Sequence, residues 1–356
     1  MKSTHTILTL LVLAACSTED PAAPAGEDPS QDLQFIEVFS SNDQWTGVAA
    51  SHDGRLFVCF PRWSPTVETS VAEIRFENGV ARGLVPYPDN NWNSWNASAS
   101  AYDHFVCVQS VTVDAENALW ILDPANPMFS GVVQGGAKLL KVDLQTNMVV
   151  QTVLFDDLVA PAASYLNDVR VDTEHDVAYI TDSGLGALLV VDLLTGRSRR
   201  VLHSHSSTKA ERVVLIIDGS GWANVVHSDG LALKPDRSYL YYQALRGRTL
   251  YRIATDRLRD TSLTENQLGA YVELVGETGA ADGIAFASDG NLYLTAIEHN
   301  EVRRLTPEGE VQTVVADSRL KWPDSFSITP DNTVYVTTSR IGFAPGVHML
   351  FKILNP

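Results

Sequence analysis

The sequence predicts an all-β fold: a six-bladed β-propeller whose ring is closed by the N-terminal strand. Three observations predict it. A short apolar segment opening on Asp, Asn, Ser or Gly is answered several residues later by a second one. Such pairs start at Gly47, Ser110, Asp168, Asp229, Asp282 and Asp324, at intervals of 42 to 63 residues. That spacing suits a radial array, because one such unit cannot bury its own apolar faces. Outer strands are also visible, as in 137–144 with 149–154, 187–193 with 199–202 and 301–305 with 311–315. Each repeat therefore supplies roughly four strands, the content of a propeller blade.

Each pair has a local reason to form. In the first, Thr46-Gly47-Val48 meets Arg55-Leu56-Phe57-Val58 across Asp53-Gly54, a dipeptide suited to a tight turn. The second joins Gln109-Ser110-Val111 to Ala118-Leu119-Trp120-Ile121-Leu122-Asp123. The third joins Asn167-Asp168-Val169-Arg170-Val171 to Ala178-Tyr179-Ile180-Thr181-Asp182. The fourth turns at Pro235-Asp236, between Leu231-Ala232-Leu233 and Tyr239-Leu240-Tyr241-Tyr242. The fifth turns at Asp289-Gly290, and the sixth pairs Phe326-Ser327-Ile328 with Val334-Tyr335-Val336-Thr337. After Val336 the chain offers one clear further strand, 349–354, and an early strand at 35–39 precedes the first repeat. That early strand is expected to complete the last blade and remove an exposed sheet edge. One propeller domain is expected over 33–356.

At 356 residues and 45% hydrophobic content the chain can bury a sizeable core. A net charge of −17 argues against nucleic acid or an anionic membrane surface as partner, and favours a cationic one. Residues 1–16 combine Lys2, an apolar run and Leu13-Ala14-Ala15-Cys16. The run is too short to span a bilayer and reads as a secretion signal. Its ending resembles a bacterial lipoprotein box, with Cys16 as the lipidated residue; a cleaved signal with a chance cysteine is the alternative. Residues 17–32, rich in Pro, Ala, Ser and acids, read as a tether. The expectation is an extracytoplasmic, outer-membrane-anchored monomer that meets the membrane only through its lipid. Cys59 and Cys107 remain, either as a disulfide or as two buried thiols.

Several segments resemble the yellow and major royal jelly protein family. They are Leu84-Val85-Pro86-Tyr87-Pro88-Asp89 with the Asn- and Trp-rich stretch after it, then Gln109-Ser110-Val111 with Leu119-Trp120-Ile121-Leu122-Asp123. Leu166-Asn167-Asp168-Val169-Arg170-Val171-Asp172 and Ser228-Asp229-Gly230-Leu231-Ala232-Leu233 fit the same pattern, as does Phe60-Pro61-Arg62-Trp63. The resemblance implies a six-bladed propeller outside the cytoplasm. Activities ascribed in that family include dopachrome conversion and binding of biogenic amines, so function has to be argued from the site.

The first residues of the innermost strands gather at one mouth of a propeller's channel. Here they are Ser110, Asn167, Asp168, Asp229, Asp282 and Asp324. Converging carboxylates need a cation or protons to offset their repulsion, and oxygen ligands suit Ca²⁺ or another hard divalent cation. The chain is more distantly similar to gluconolactonase- and regucalcin-like propellers, which use a first-blade Glu with a later Asn and Asp. Asn167 and Asp229 match the last two, whereas Trp45-Thr46-Gly47-Val48 stands where the Glu belongs. The competing role for each Asp is to hold backbone N–H groups. His227, just before Ser228-Asp229, is the general-base candidate. Trp92 and Trp95 are candidates for an aromatic wall, or for packing on the propeller; His203 and His205 read as loop histidines. No phosphate-cradling glycine loop, nucleophile elbow or redox motif appears, so neither a nucleotide nor a redox cofactor is expected. Three functions follow: binding a small cationic or aromatic ligand at the acidic mouth, metal-dependent lactone hydrolysis or isomerisation, or a surface scaffold for protein partners.

Overall fold

The computed structural model describes Met1 and Leu33–Pro356; the leader, tether and lipidation readings, Cys16 included, lie outside these residues. Six four-stranded antiparallel sheets follow one another along the chain, each meandering from its first strand to its fourth. Blade one is Val48–Ala50, Leu56–Cys59, Val71–Glu77 and Val80–Pro86. The first strands of blades two to six are Ser110–Val113, Leu166–Asp172, Ser228–Leu233, Ala281–Phe286 and Pro323–Ile328. These inner strands touch their neighbours all the way round the ring. Closure is as expected: Gln34–Ser41 pairs with His348–Leu354 as the outer strand of blade six, and Phe35 stacks on Phe351 at 4.4 Å.

The apolar residues that alternate along the strands do not form one central core. They form six clusters, one at each junction between neighbouring blades. Trp120 and Leu122 of blade two pack on Val169 and Ile180 of blade three, for example, and Leu350 of blade six packs on Val48 and Leu56 of blade one. Since no blade buries both faces alone, stability is a property of the closed ring.

The inner strands of blades three to six share an irregularity that the repeat pattern does not advertise. Pairing with the second strand slips between Leu166 and Val169, Ser228 and Leu231, Ala281 and Ile284, and Pro323 and Phe326. Each slip is a β-bulge, one extra residue that re-aims a side chain and leaves a backbone N–H without its ladder partner. The bulged residues are Asn167-Asp168, Asp229-Gly230, Asp282-Gly283 and Asp324-Ser325. So the Asp-Gly steps serve close packing at a bulge, not a turn. A Cβ on Gly230 would sit 2.4 Å from the Asp282 carbonyl oxygen, and one on Gly283 would sit 2.3 Å from that of Asp324.

Buried hydroxyls take up the freed N–H groups. Thr181 Oγ1 accepts from Asp168 N at 3.1 Å and donates to the Asp229 carbonyl of the next blade at 2.6 Å. Thr337 Oγ1 accepts from Ser325 N and donates to the Thr46 carbonyl of blade one, tying last blade to first. Thr295 Oγ1 accepts from both Asp282 N and Gly283 N at 3.0 Å. In blade one a thiol plays this part: Cys59 Sγ accepts from Gly47 N at 3.3 Å and donates to the Gln109 carbonyl at 3.2 Å. Cys59 and Cys107 are both free and buried, which corrects the disulfide alternative. Burial pushes each thiol up to about 12, so neither is a ready nucleophile near neutral pH.

Thr181→Val would strand a buried N–H and a buried carbonyl at once. It is expected to lower unfolding stability by about 1–3 kcal/mol. Cys59→Ser keeps a donor and an acceptor in place and should cost less than about 1 kcal/mol. Urea unfolding of both variants checks this; equal losses would show that the inter-blade bonds do not matter.

Candidate functional site

The bulges turn Asn167, Asp229, Asp282 and Asp324 into a cavity of about 490 Å³ at the mouth of the channel. Four aromatic side chains stand in its walls: Trp63, Phe129, Tyr165 and Trp222. Phe129 lies between Trp63, at 5.6 Å, and Tyr165, at 5.1 Å. It is 63% exposed and held on a short turn in which Met128 and Phe129 both have positive φ, 53° and 54°. Trp222 comes from a hairpin outside the blades, Leu215–Ile217 with Ser220–Trp222. Asp218 and Gly219 connect it with φ of 48° and 77°, the geometry of a two-residue turn with both central residues left-handed. The hairpin rests on Trp322, whose ring meets that of Trp222 edge-on at 5.3 Å.

Beneath the rings runs a directed chain of hydrogen bonds. Trp63 Nε1 donates to Tyr165 Oη at 2.6 Å, and Tyr165 donates to Gln109 Oε1 at 2.8 Å. Gln109 Nε2 faces Asn167 Oδ1 at 3.5 Å, and Asn167 Nδ2 donates to Asp229 Oδ2 at 2.8 Å. From the other side Trp322 Nε1 donates to Asp282 Oδ2 at 2.6 Å. Donors thus arrive from both ends at two buried carboxyl groups. Carboxyl groups crowded out of water in this way favour the protonated form. Burial raises both well above the ordinary carboxylate range, and the neighbouring carboxylates raise them further. Asp324 is raised to about 6, mainly by burial.

The six mouth positions converge, five of them around one small inner pocket, but they do not all line the cavity. Asn167, Asp229, Asp282 and Asp324 line the cavity, whereas Ser110 and Asp168 lie deeper. Asp168 accepts from Ser110 Oγ at 3.1 Å and pairs with Arg170 at 2.7 Å. The Arg170 guanidinium then reaches across to the Ile284 carbonyl of blade five at 2.9 Å. This strut separates the mouth from a cavity at the opposite end of the inner strands.

His227 is not in the cavity wall. Its Nδ1 accepts the Ala210 N–H at 2.9 Å, and burial, then nearby Lys209, hold its pKa below the ordinary value. The general-base reading therefore gives way to a loop-fastening one. Trp92 and Trp95 pack into the propeller, Trp92 against Phe105 at 5.2 Å and Trp95 beneath Arg62. His203 pairs with Glu265, and His205 caps the short turn Ser206–Thr208.

A hard divalent cation needs several ionised oxygens free to turn toward it. Here Asp229 is engaged by the Asn167 amide and Asp282 by the Trp322 indole N–H. Thr46, in the first-blade stretch, is tied to the Gln109 carbonyl at 2.7 Å. Among the described residues no group of three or more His, Cys, Asp or Glu is arranged to hold a metal ion.

The family model described as Major royal jelly protein matches residues 106–346. The chain belongs to the major royal jelly protein family. It is 24% identical over 313 residues to major royal jelly protein 5 of Apis mellifera, covering 80% of this chain and 49% of the relative. Protein yellow of Drosophila guanche is 24% identical over 346 residues, covering 90% of this chain and 60% of that one. A stretch of 119 residues is 30% identical to 6-deoxy-6-sulfogluconolactonase of Pseudomonas putida, covering 33% of this chain and 40% of the enzyme. The chain spans about half the length of the curated relatives it matches. Among solved structures, a gluconolactonase from Xanthomonas campestris has a TM-score of 0.57 at 14% identity, covering 92% of this chain and 91% of that one. That likeness shows the shared propeller fold.

The buried acids make stability depend on pH in a defined direction. Their folded-state pKa values are raised, so their contribution is complete below about pH 4, where unfolded carboxyls are protonated too. It is lost as pH rises through the folded values, about 6 for Asp324 and higher for the pair. The melting temperature is expected to fall over that window, and Asp282→Asn should flatten the fall. A profile identical in the variant would show that the pair does not titrate there.

Proposed function

We propose that the protein binds a small aromatic amine in the mouth of the propeller, as an extracytoplasmic lipoprotein anchored through Cys16. The observation that carries this reading is the Asp229–Asp282 pair, which receives donors from both sides and faces a cavity walled by aromatic rings. An ammonium group supplies the positive charge and N–H donors that the carboxyl groups otherwise obtain from a retained proton. Rings of the ligand stack on Trp63, Phe129 or Trp222, and the cation gains from the ring faces as well. A cavity of this size suits one such molecule.

Lactone or ester hydrolysis is the second reading, supported by the partial match to a sulfogluconolactonase. It calls for a divalent ion on a donor set that is arranged otherwise. The scaffold reading loses its motivating feature, since Trp92 and Trp95 are packed away.

Calorimetric titration with tyramine tests the amine reading. Asp229→Asn is expected to weaken binding about tenfold or more, the cost of a lost charge-assisted contact, while His227→Gln leaves it unchanged. Affinity should rise with pH above the ordinary carboxylate range, as the raised Asp229 and Asp282 carboxyls ionise. Equal affinities for wild type and Asp229→Asn would overturn the site. Separately, chelation should leave the melting curve unchanged; a fall, with metal recovered, would favour the hydrolase.

A further inference from the structure

The amine reading uses the acidic floor and the aromatic walls of the cavity but leaves one lining residue without a part. Arg340 is the one cationic side chain among the residues that line it. It lies just beyond Val334–Thr338, on the connection to the third strand of blade six. Arg170, Arg237 and Arg248 are matched, with Asp168, Glu174 and Glu298, whereas Arg62 and Arg246 have no ion pair among the described residues but do not line the cavity. Arg340 makes no ion pair among the described residues. Its Nη2 donates to the Ala344 carbonyl at 2.8 Å, and its buried Nε has no hydrogen-bond partner. A buried guanidinium N–H without an acceptor is costly, and a planar fork of such donors matches a carboxylate.

Two further details keep the guanidinium where it is. The Arg340 backbone sits at φ 56°, uncommon for a residue with a side chain. Gly346 leaves room for the planar group, since a Cβ there would lie 2.8 Å from Arg340 Cζ. The same loop abuts the aromatic wall: a Cβ on Gly342 would lie 3.6 Å from Trp222 Cδ1. The cavity thus carries buried carboxyls and, beyond ion-pair reach of them, an unmatched guanidinium on a loop that abuts an indole. That is the polarity of a zwitterion with an aromatic side chain.

We propose that Arg340 receives a carboxylate, so that the ligand class is the aromatic α-amino acid and not the decarboxylated amine. The inference rests on the amine-binding reading of the same cavity and adds a second anchoring point to it. The ammonium meets Asp229 and Asp282, the carboxylate meets Arg340, and the ring lies among the aromatic walls.

L-Tyrosine and tyramine differ only in the carboxylate, so calorimetric titration of the full chain with both separates the two claims. Wild type is expected to bind tyrosine at least about tenfold more tightly than tyramine, the effect of one bidentate charge-assisted contact. Arg340→Met should abolish that preference by weakening tyrosine alone; its unaltered tyramine affinity reports an intact fold. Arg340→Lys should restore part of the preference, because it keeps the charge but not the fork. Tyramine binding as tightly as tyrosine, or Arg340→Met weakening both alike, overturns the role of Arg340 and leaves the amine site standing. Failure of both ligands to bind the wild type overturns the amine site and this inference with it.

Discussion

Where the inner strands of blades three, five and six bulge, a backbone N–H loses its partner in the ladder, and a buried hydroxyl on the adjacent strand takes it up. The rest of the structure depends on that exchange. A bulge alone would leave polar groups orphaned at the most enclosed point of the propeller, a cost of several bonds around the ring. Thr181, Thr337 and Cys59 remove the cost and add a bond to the following blade. Bulge and hydroxyl together let the chain turn Asn167, Asp229, Asp282 and Asp324 toward the mouth while the sheets stay paired.

The same constraint shapes the electrostatics. Side chains aimed inward from successive blades crowd into a small volume, and the crowded residues here are acids. Asp168 lies beside the others but is matched by Arg170. Asp229 and Asp282 have no such cation beside them, so burial and the neighbouring carboxylates raise both well above the ordinary carboxylate range. The aromatic walls deepen that effect by keeping the surroundings apolar. One pattern of placement thus yields both an ion pair and a protonated pair, separated by where the single arginine falls.

The blade count, the strand pairs and closure through Gln34–Ser41 were legible from repeated strand pairs and turn dipeptides, because those are local and periodic. The acidic cluster was legible too, since Asp229, Asp282 and Asp324 recur at one phase of the repeat. Its chemistry was less so. Asp53-Gly54 and Asp289-Gly290 are turns, as read, whereas Asp229-Gly230 and Asp282-Gly283 open their strands as bulges, because the close approach of neighbouring strands that demands glycine there is a long-range contact. Cys59 could not be recognised as the counterpart of Thr181 until the register placed the two at the same station. His227 sat beside Asp229 in sequence but was drawn off by the Ala210 backbone. Phe129, Trp222 and Arg340 lie in connections that carry no period. Only the hairpin bearing Trp222 left a signal, the Asp218-Gly219 dipeptide between apolar residues.

Arg170 gives the propeller a bottom. With the guanidinium strut spanning from blade three to blade five, the mouth cavity and the one at the far end are separate chambers. On the binding reading, a guest that enters at the mouth leaves again past Phe129 and Trp222. Occupancy is then governed by one doorway: a rival molecule waits for the occupant to leave, and the time a guest stays is set at the rim as much as by the acids at the floor. Such a vessel is suited to holding a molecule for a long time, and poorly suited to passing a stream of them.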